Sequence, residues 1–243
     1  MNIEANYSYS HEIDDLVNVF QGWSNPFNAN ADRSSGDWDV RQNLTGSIVY
    51  DLAELKDRNA WLRTAAGGWQ VSSIVQTRSG LPTNISLVSG FFGDPMRPDP
   101  VAGQAKYVSN RSWPTRSFNS AAYAVPPGYN GTWGNDPGAV GRNDLRGPAF
   151  FQWDFSGMKN FGITEKTRLQ FRADLFNLLN HPNFANPDGG VCLAVSAATA
   201  TTAAGCLPNG NFGRAAQTVA GASGGAIGNG TSRQAQLSLK LIF

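Results

Sequence analysis

Charge is scarce in this chain: only 15% of its 243 residues are Asp, Glu, Lys or Arg, against about a quarter in a typical soluble domain. The formal net charge is +1, so nothing supports a general attraction to nucleic acid or to anionic surfaces. Long apolar runs are missing too. None approaches the roughly 18 to 20 residues of a membrane-spanning helix, which excludes a helical membrane protein but not a β-barrel, whose alternating strands leave a weak hydropathy signal. The opening Met1-Asn-Ile-Glu-Ala-Asn-Tyr7 has neither the basic nor the apolar stretch of a secretory leader. Histidine is limited to His11 and His181, and cysteine to Cys192 and Cys206.

What the chain has in plenty is turn chemistry and aromatics: 27 Gly, 13 Pro, seven Trp and fourteen Phe. Few charges, many aromatics and frequent turns suggest an all-β protein, and the same mixture suits a surface that meets lipid. Six segments alternate at the two-residue period of a strand. Residues 2–10 place Ile3, Ala5, Tyr7 and Tyr9 on one face, and residues 39–51 place Leu44, Gly46, Ile48 and Tyr50. Residues 68–79 carry Trp69, Val71 and Val75, but Ile74 falls on the other parity and leaves the facing of this segment open. Residues 150–159 alternate Phe151, Trp153 and Phe155, and residues 167–176 alternate Leu169, Phe171, Ala173 and Leu175. The clustered leucines after residue 175 also admit a helical turn over 176–180. The last segment alternates Leu237, Leu239, Leu241 and Phe243.

The opposite faces are polar. Gln152, Asp154, Gln170, Arg172, Asp174, Gln236 and Lys240 point one way if their strands are neighbours, as lumen-lining residues of a barrel do. A soluble sandwich also alternates, but covers its apolar face with a second sheet. The connections run long, medium, long, short, long over residues 10–38, 52–67, 80–148, 160–166 and 177–232. Compact soluble domains rarely hold structureless loops beyond about 12 to 15 residues, and three would be needed here. Outer-membrane barrels alternate long external loops with short periplasmic turns, which sends the sixth strand down to the periplasmic side. The link 52–67 is long for such a turn. Residues 194–205 and 220–230 are small-residue tracts that read as mobile loop.

Catalytic material is sparse. His11 and His181 stand alone at strand-loop junctions, and no hydrolase, zincin or phosphate-loop pattern is present. Gly141-Arg-Asn-Asp-Leu-Arg-Gly-Pro148 could suggest an anion nest, but a loop closing onto the fourth strand explains it more simply. Asp94, Asp99, Asp136 and Asp144 lack EF-hand spacing. Trp113, Tyr123, Tyr129 and Trp133 either present an aromatic surface to a sugar or partner, or collapse onto the barrel. Cys192 and Cys206 are candidates for a loop disulfide in an oxidising compartment, two free thiols being the alternative. No enzyme activity, metal or cofactor is expected.

The motifs Gly68-Trp-Gln-Val-Ser-Ser73, Ser79-Gly-Leu-Pro-Thr83, Gly141-Arg-Asn-Asp-Leu-Arg-Gly-Pro148 and Lys159-Asn-Phe161 occur in that order. They are followed by Leu169-Gln-Phe-Arg-Ala-Asp-Leu-Phe-Asn-Leu-Leu-Asn-His-Pro-Asn-Phe184, Phe212-Gly-Arg214 and Gln236-Leu-Ser-Leu-Lys-Leu-Ile-Phe243. This combination resembles the C-terminal barrel region of Oar-like TonB-dependent receptors, and the resemblance covers nearly the whole chain. It implies a 22-stranded outer-membrane barrel with an internal plug, which moves bulky nutrients using the TonB-ExbB-ExbD complex. Residues 1–243 would then be an antiparallel transmembrane β-barrel portion, about the last six strands, with long extracellular loops. The plug, TonB box and carboxypeptidase-regulatory-like domain would lie outside this chain.

That reading makes outer-membrane lipid, the barrel-assembly machinery and an unidentified ligand the partners. Leu237, Leu239, Leu241 and Phe243 would be the assembly signal. Two rival classes remain at this point: a secreted β-sandwich that binds carbohydrate, and a secreted hydrolase. The sandwich predicts a soluble monomer, and the hydrolase needs an acid/base pair clustered in a cleft.

Overall fold

The computed structural model describes residues 1–15, 28–88, 96–130, 138–222, 230 and 232–243. Its frame is one antiparallel sheet of six long strands in chain order. These are β1 (Asn2–Tyr9), β2 (Gln42–Asp51), β3 (Trp69–Arg78), β4 (Phe150–Gly162), β5 (Arg168–Phe176) and β6 (Gln234–Ile242). All six alternating segments are strands, and each pairs with its neighbour along the chain. Most reach the length of about 9 to 11 residues that a tilted strand needs to cross hydrocarbon.

Register decides what the sheet presents, because residues paired across strands share a face. One row runs Ile3, Ile48, Ser73, Phe155, Leu175 and Ala235. A second runs Tyr50, Val71, Gly157, Ala173 and Leu237. The apolar alternation of every strand therefore falls on one continuous face. On the other face lie Thr45, Gln76 and Gln152, then Ser156, Asp174 and Gln236. The ambiguous third segment is settled by this register: Ile74 pairs with Ser47 and Asp154 on the polar face, and Val71 and Val75 stand on the apolar one. Among the described residues, β1 and β6 each have a sheet partner on one side only.

The connections correct the sequence reading. Residues 52–68 are not a plain turn but hold helix α1 (Ala60–Ala66), where a short run rich in Ala, Leu and Arg favours helix. Gly68 follows at φ +66, a left-handed conformation that glycine tolerates. No helical turn forms over residues 176–180. Asn177 and Asn180 instead take positive φ, and the Asn177 side chain bridges the His181 backbone by donating to its carbonyl and accepting from its N–H.

At the other end of the sheet the long loops fold together rather than remaining structureless. They form short pairings: Ile13–Asp14 with Ser34–Ser35, Pro82–Thr83 with Leu145–Arg146, and Asp99–Pro100 with Tyr123–Ala124. Gly190–Ser196 pairs with both Ser86–Val88 and Gly205–Pro208. Part of the small-residue tract 194–205 is thus ordered strand. The second such tract lies mostly outside the described residues. Beneath these pairings is a core of Ile85, Phe118, Tyr123, Val140, Leu145, Val191, Cys192 and Phe212.

Candidate functional site

The sheet's apolar face is open to its surroundings. Leu237 and Leu239 are 71% and 69% exposed, and Ile3, Tyr7, Leu44 and Ile48 are exposed too. No second sheet covers them among the described residues. Aromatics gather toward both ends of this face. Tyr7, Tyr9, Phe151 and Trp153 lie toward the loop-layer end, and Tyr50, Trp69 and Phe161 toward the short-turn end, with Phe243 just past β6. Between them stands the row of Ile3, Ile48, Ser73, Leu175 and Ala235, with Phe155 as its one aromatic. An apolar band edged by two aromatic girdles is the outer surface of a β-barrel in lipid. Among the described residues no helix is long and apolar enough to cross a membrane.

The predicted lumen residues share the opposite face, as their pairings show: Asp174 with Gln236, and Gln170 with Lys240. They bond along the sheet. Arg172 Nε donates to Asp174 Oδ1 at 2.8 Å, and Gln170 donates to Asn160 at 3.1 Å. Gln152 is buried near the loop end, where it donates to both carboxylate oxygens of Asp154 and accepts from the Gly230 backbone N–H at 2.9 Å. Asp154 also accepts from the Asn177 N–H at 2.8 Å. Asn183 Oδ1 accepts from the Phe151 N–H at 2.8 Å. The Phe176-to-Asn183 stretch thus docks its loop on the top of β4.

The loop layer is held by ions. Loop 10–41 supplies Asp14, Asp32, Asp37 and Asp39, and loop 79–149 supplies Arg97, Arg142 and Arg146. Arg97 meets Asp32 at 2.5 Å with both side chains buried. The buried Arg142 guanidinium pairs with Asp14 and with Asp37 (3.3 Å) and donates to the Asp32 carbonyl. Arg146 meets Asp39 at 2.5 Å. Burial pushes the Asp39 carboxyl up, but hydrogen bonds from the Glu12 N–H, Arg41 and Arg146 outweigh it and hold its pKa at about 2. Burial likewise lowers the pKa of Arg142. The 141–148 motif does lead into β4, but its arginines do more, clamping two loops together. Gly80 permits a close backbone crossing with this motif, because a Cβ there would lie 2.0 Å from the Gly147 carbonyl oxygen.

Cys192 and Cys206 form a disulfide across the Gly190–Ser196 and Gly205–Pro208 pair. Tyr123 is buried against Phe212, and Trp113 packs edge-on to Phe118. These two aromatics are therefore core rather than display. Tyr129 is half-buried, and Trp133 lies outside the described residues. Of the candidate calcium carboxylates, Asp144 pairs with Lys106 and Asp99 accepts from the Ala139 N–H. Asp94 and Asp136 lie outside the described residues. Among the described residues no group of three or more potential metal ligands assembles. His11 meets the Ser35 hydroxyl at 3.3 Å on the surface, and His181 lies edge-on to Phe151.

Sequence reasoning missed Asp39, Asn177 and Asn183, and it missed the buried arginine clamp. The one available signal was the clustering of Asp in the first loop and Arg in the 141–148 motif. Comparison with known proteins agrees with the membrane geometry. The family model described as outer membrane beta barrel domain matches residues 1–236. No curated protein matches the chain, and no solved structure does.

Proposed function

Because this chain belongs to the outer membrane beta barrel domain family, and so to the bacterial outer membrane, we propose that its six strands are an arc of a larger, TonB-dependent receptor barrel. The observation that carries this reading is a register with one lipid-type face and one polar face on a sheet with two unpaired edges. Open edges are not tolerated in hydrocarbon, where every backbone N–H and C=O needs a partner. Further strands must therefore flank β1 and β6, and the resemblance to Oar-like receptors puts the full count at 22. Lumen diameter grows with strand number, so such a barrel has room for a plug.

In this reading the folded loop layer faces outside and forms part of the vestibule that captures a bulky nutrient, an oligosaccharide or metal chelate. Gln152, Asp154, Gln170, Arg172, Asp174 and Lys240 line the lumen below it. TonB-ExbB-ExbD acts through parts of the receptor outside this chain, and no catalytic step is assigned. Leu237, Leu239, Leu241 and Phe243 serve the barrel-assembly machinery as its recognition strand.

The test is genetic. Deleting the gene should abolish growth on at least one bulky substrate at limiting concentration, with the same phenotype as deleting tonB. Unchanged growth on every substrate that requires TonB would refute transport of this kind.

A further inference from the structure

Among the residues of the apolar face one is charged. Lys159 pairs in register with Trp69 and Phe171, so its side chain rises from the lipid-type side of β4. It is nevertheless 5% exposed, whereas its neighbours Trp69, Phe161 and Phe171 are half-buried and Leu239 beyond them is exposed. The cover is the end of α1. Lys159 Nζ donates to the carbonyls of Arg63 (3.5 Å), Thr64 and Gly67. It also lies 5.7 Å from the Trp69 ring and 5.3 Å from the Phe161 ring. Trp69, on the same face, donates its indole N–H to the Ala65 carbonyl at 2.8 Å. Two side chains of the apolar face thus grip the final turn of α1, and this fixes where the helix is: on the outer side of the sheet, at its short-turn end.

An ammonium on a lipid-facing surface is costly unless it is partnered, and unpaired C-terminal carbonyls of a helix are costly there for the same reason. Each satisfies the other. At the same rim Trp61 is 70% exposed, and Ile163 in the β4–β5 turn is exposed too. Beside the junction a cleft of about 460 Å³ is lined by Glu54, Arg63, Thr64, Asn160 and Phe161. Tryptophan with a neighbouring cation is the side-chain set enriched at the bilayer–water interface.

We propose that α1 is an interfacial foot: it lies outside the barrel and seats Trp61 in the headgroup region of the bilayer, with Arg63 toward lipid phosphate. The occupant of this surface is phospholipid, because the foot is continuous with the lipid-facing band and shares its aromatic girdle. Assignment to the inner leaflet rests on the orientation given under Proposed function, with short turns toward the periplasm.

A fluorophore at Ala65→Cys tests the foot in the whole receptor, since positions 61 and 65 share a helix face. In phospholipid vesicles carrying doxyl quenchers, a quencher high on the acyl chain should quench this label about twofold more than one near the chain end, as interfacial depth requires. A label at Thr201, in the loop layer, should respond to neither. Lys159→Met keeps the aliphatic stem but drops the charge, and should reduce lipid quenching at position 65 toward the Thr201 value. Trp61→Ser should do the same with the sheet grip intact. A position 65 label that behaves like Thr201 in the unsubstituted receptor overturns the foot, as does quenching unchanged in both variants. Labelling of intact cells by a membrane-impermeant thiol reagent separates the two readings. Reaction at position 65 before the outer membrane is permeabilised would reverse the orientation and leave the interfacial placement standing.

Discussion

The sheet and the loop layer of this protein are built for different solvents. Of the buried apolar side chains among the described residues, Phe150 alone belongs to a long strand, at its first position; the others, from Ile85 to Ala220, sit in the loop layer or its connections. The layer behaves like a water-soluble domain, with a core, buried ion pairs and a disulfide. The sheet has ladders of backbone hydrogen bonds but leaves its leucines uncovered, which in water would expose a patch far larger than monomers carry. The difference shows that the sheet's missing hydrophobic partner is the bilayer, while the layer carries its own.

Breaking the layer should leave the sheet standing. Arg142→Ala removes the cation that pairs with Asp14 and Asp37 and donates to the Asp32 carbonyl, and loss of one buried partner costs about 3 to 5 kcal/mol. Limited proteolysis should then cut within 10–41 and 79–149 while the strands stay protected; unchanged protection would show that the clamp is not structural.

The converse is a charge on the sheet. Ile48→Arg, midway along the lipid face, should destabilise the barrel by up to about 4 kcal/mol, whereas the same residue on the lumen face, Thr45→Arg, should be close to neutral. Urea titration in vesicles measures both, and equal effects would erase the distinction between faces. Removing the disulfide with Cys192→Ser and Cys206→Ser should cost about 3 kcal/mol by chain entropy, visible as faster proteolysis of the layer with no change in barrel unfolding.

The smallest effect is on pH. The Asp39 carboxyl falls from 3.8 to about 2 on folding, so its contribution is present above pH 3.8 and is lost as pH drops toward 2. Acid titration of layer proteolysis should show a loosening in that window, and Asp39→Asn should abolish it. A loosening that persists unchanged in Asp39→Asn would contradict this assignment.

The sheet was legible because alternation is local: five of the six segments announced their faces within ten residues, and the third, with Ile74 on the other parity, took its facing from the register. The parity of Phe151, Trp153 and Phe155 even extends to Lys159 and so marks the one charge on the apolar side. The layer was not legible for the opposite reason. Most of its strands are two or three residues long and have no period, and its clamp joins residues as distant as Asp14 and Arg142. Two-residue pairings cohere only through such long-range contacts, so residues 10–38 and 80–148 read as empty loop. Nor did anything in the sequence predict that α1 would fold onto the lipid side, because its anchor is a side chain from a strand ninety positions further on.

The central claim is that alternate residues of one strand face lipid and lumen, and β6 tests it most directly. Spin labels placed one at a time at positions 236 to 241 in the assembled barrel should give oxygen and aqueous nickel-complex accessibilities that alternate with a period of two. Positions 237, 239 and 241 should favour oxygen, the lipid-soluble probe, and positions 236, 238 and 240 the nickel complex. A flat profile, or alternation in the opposite phase, would contradict the account.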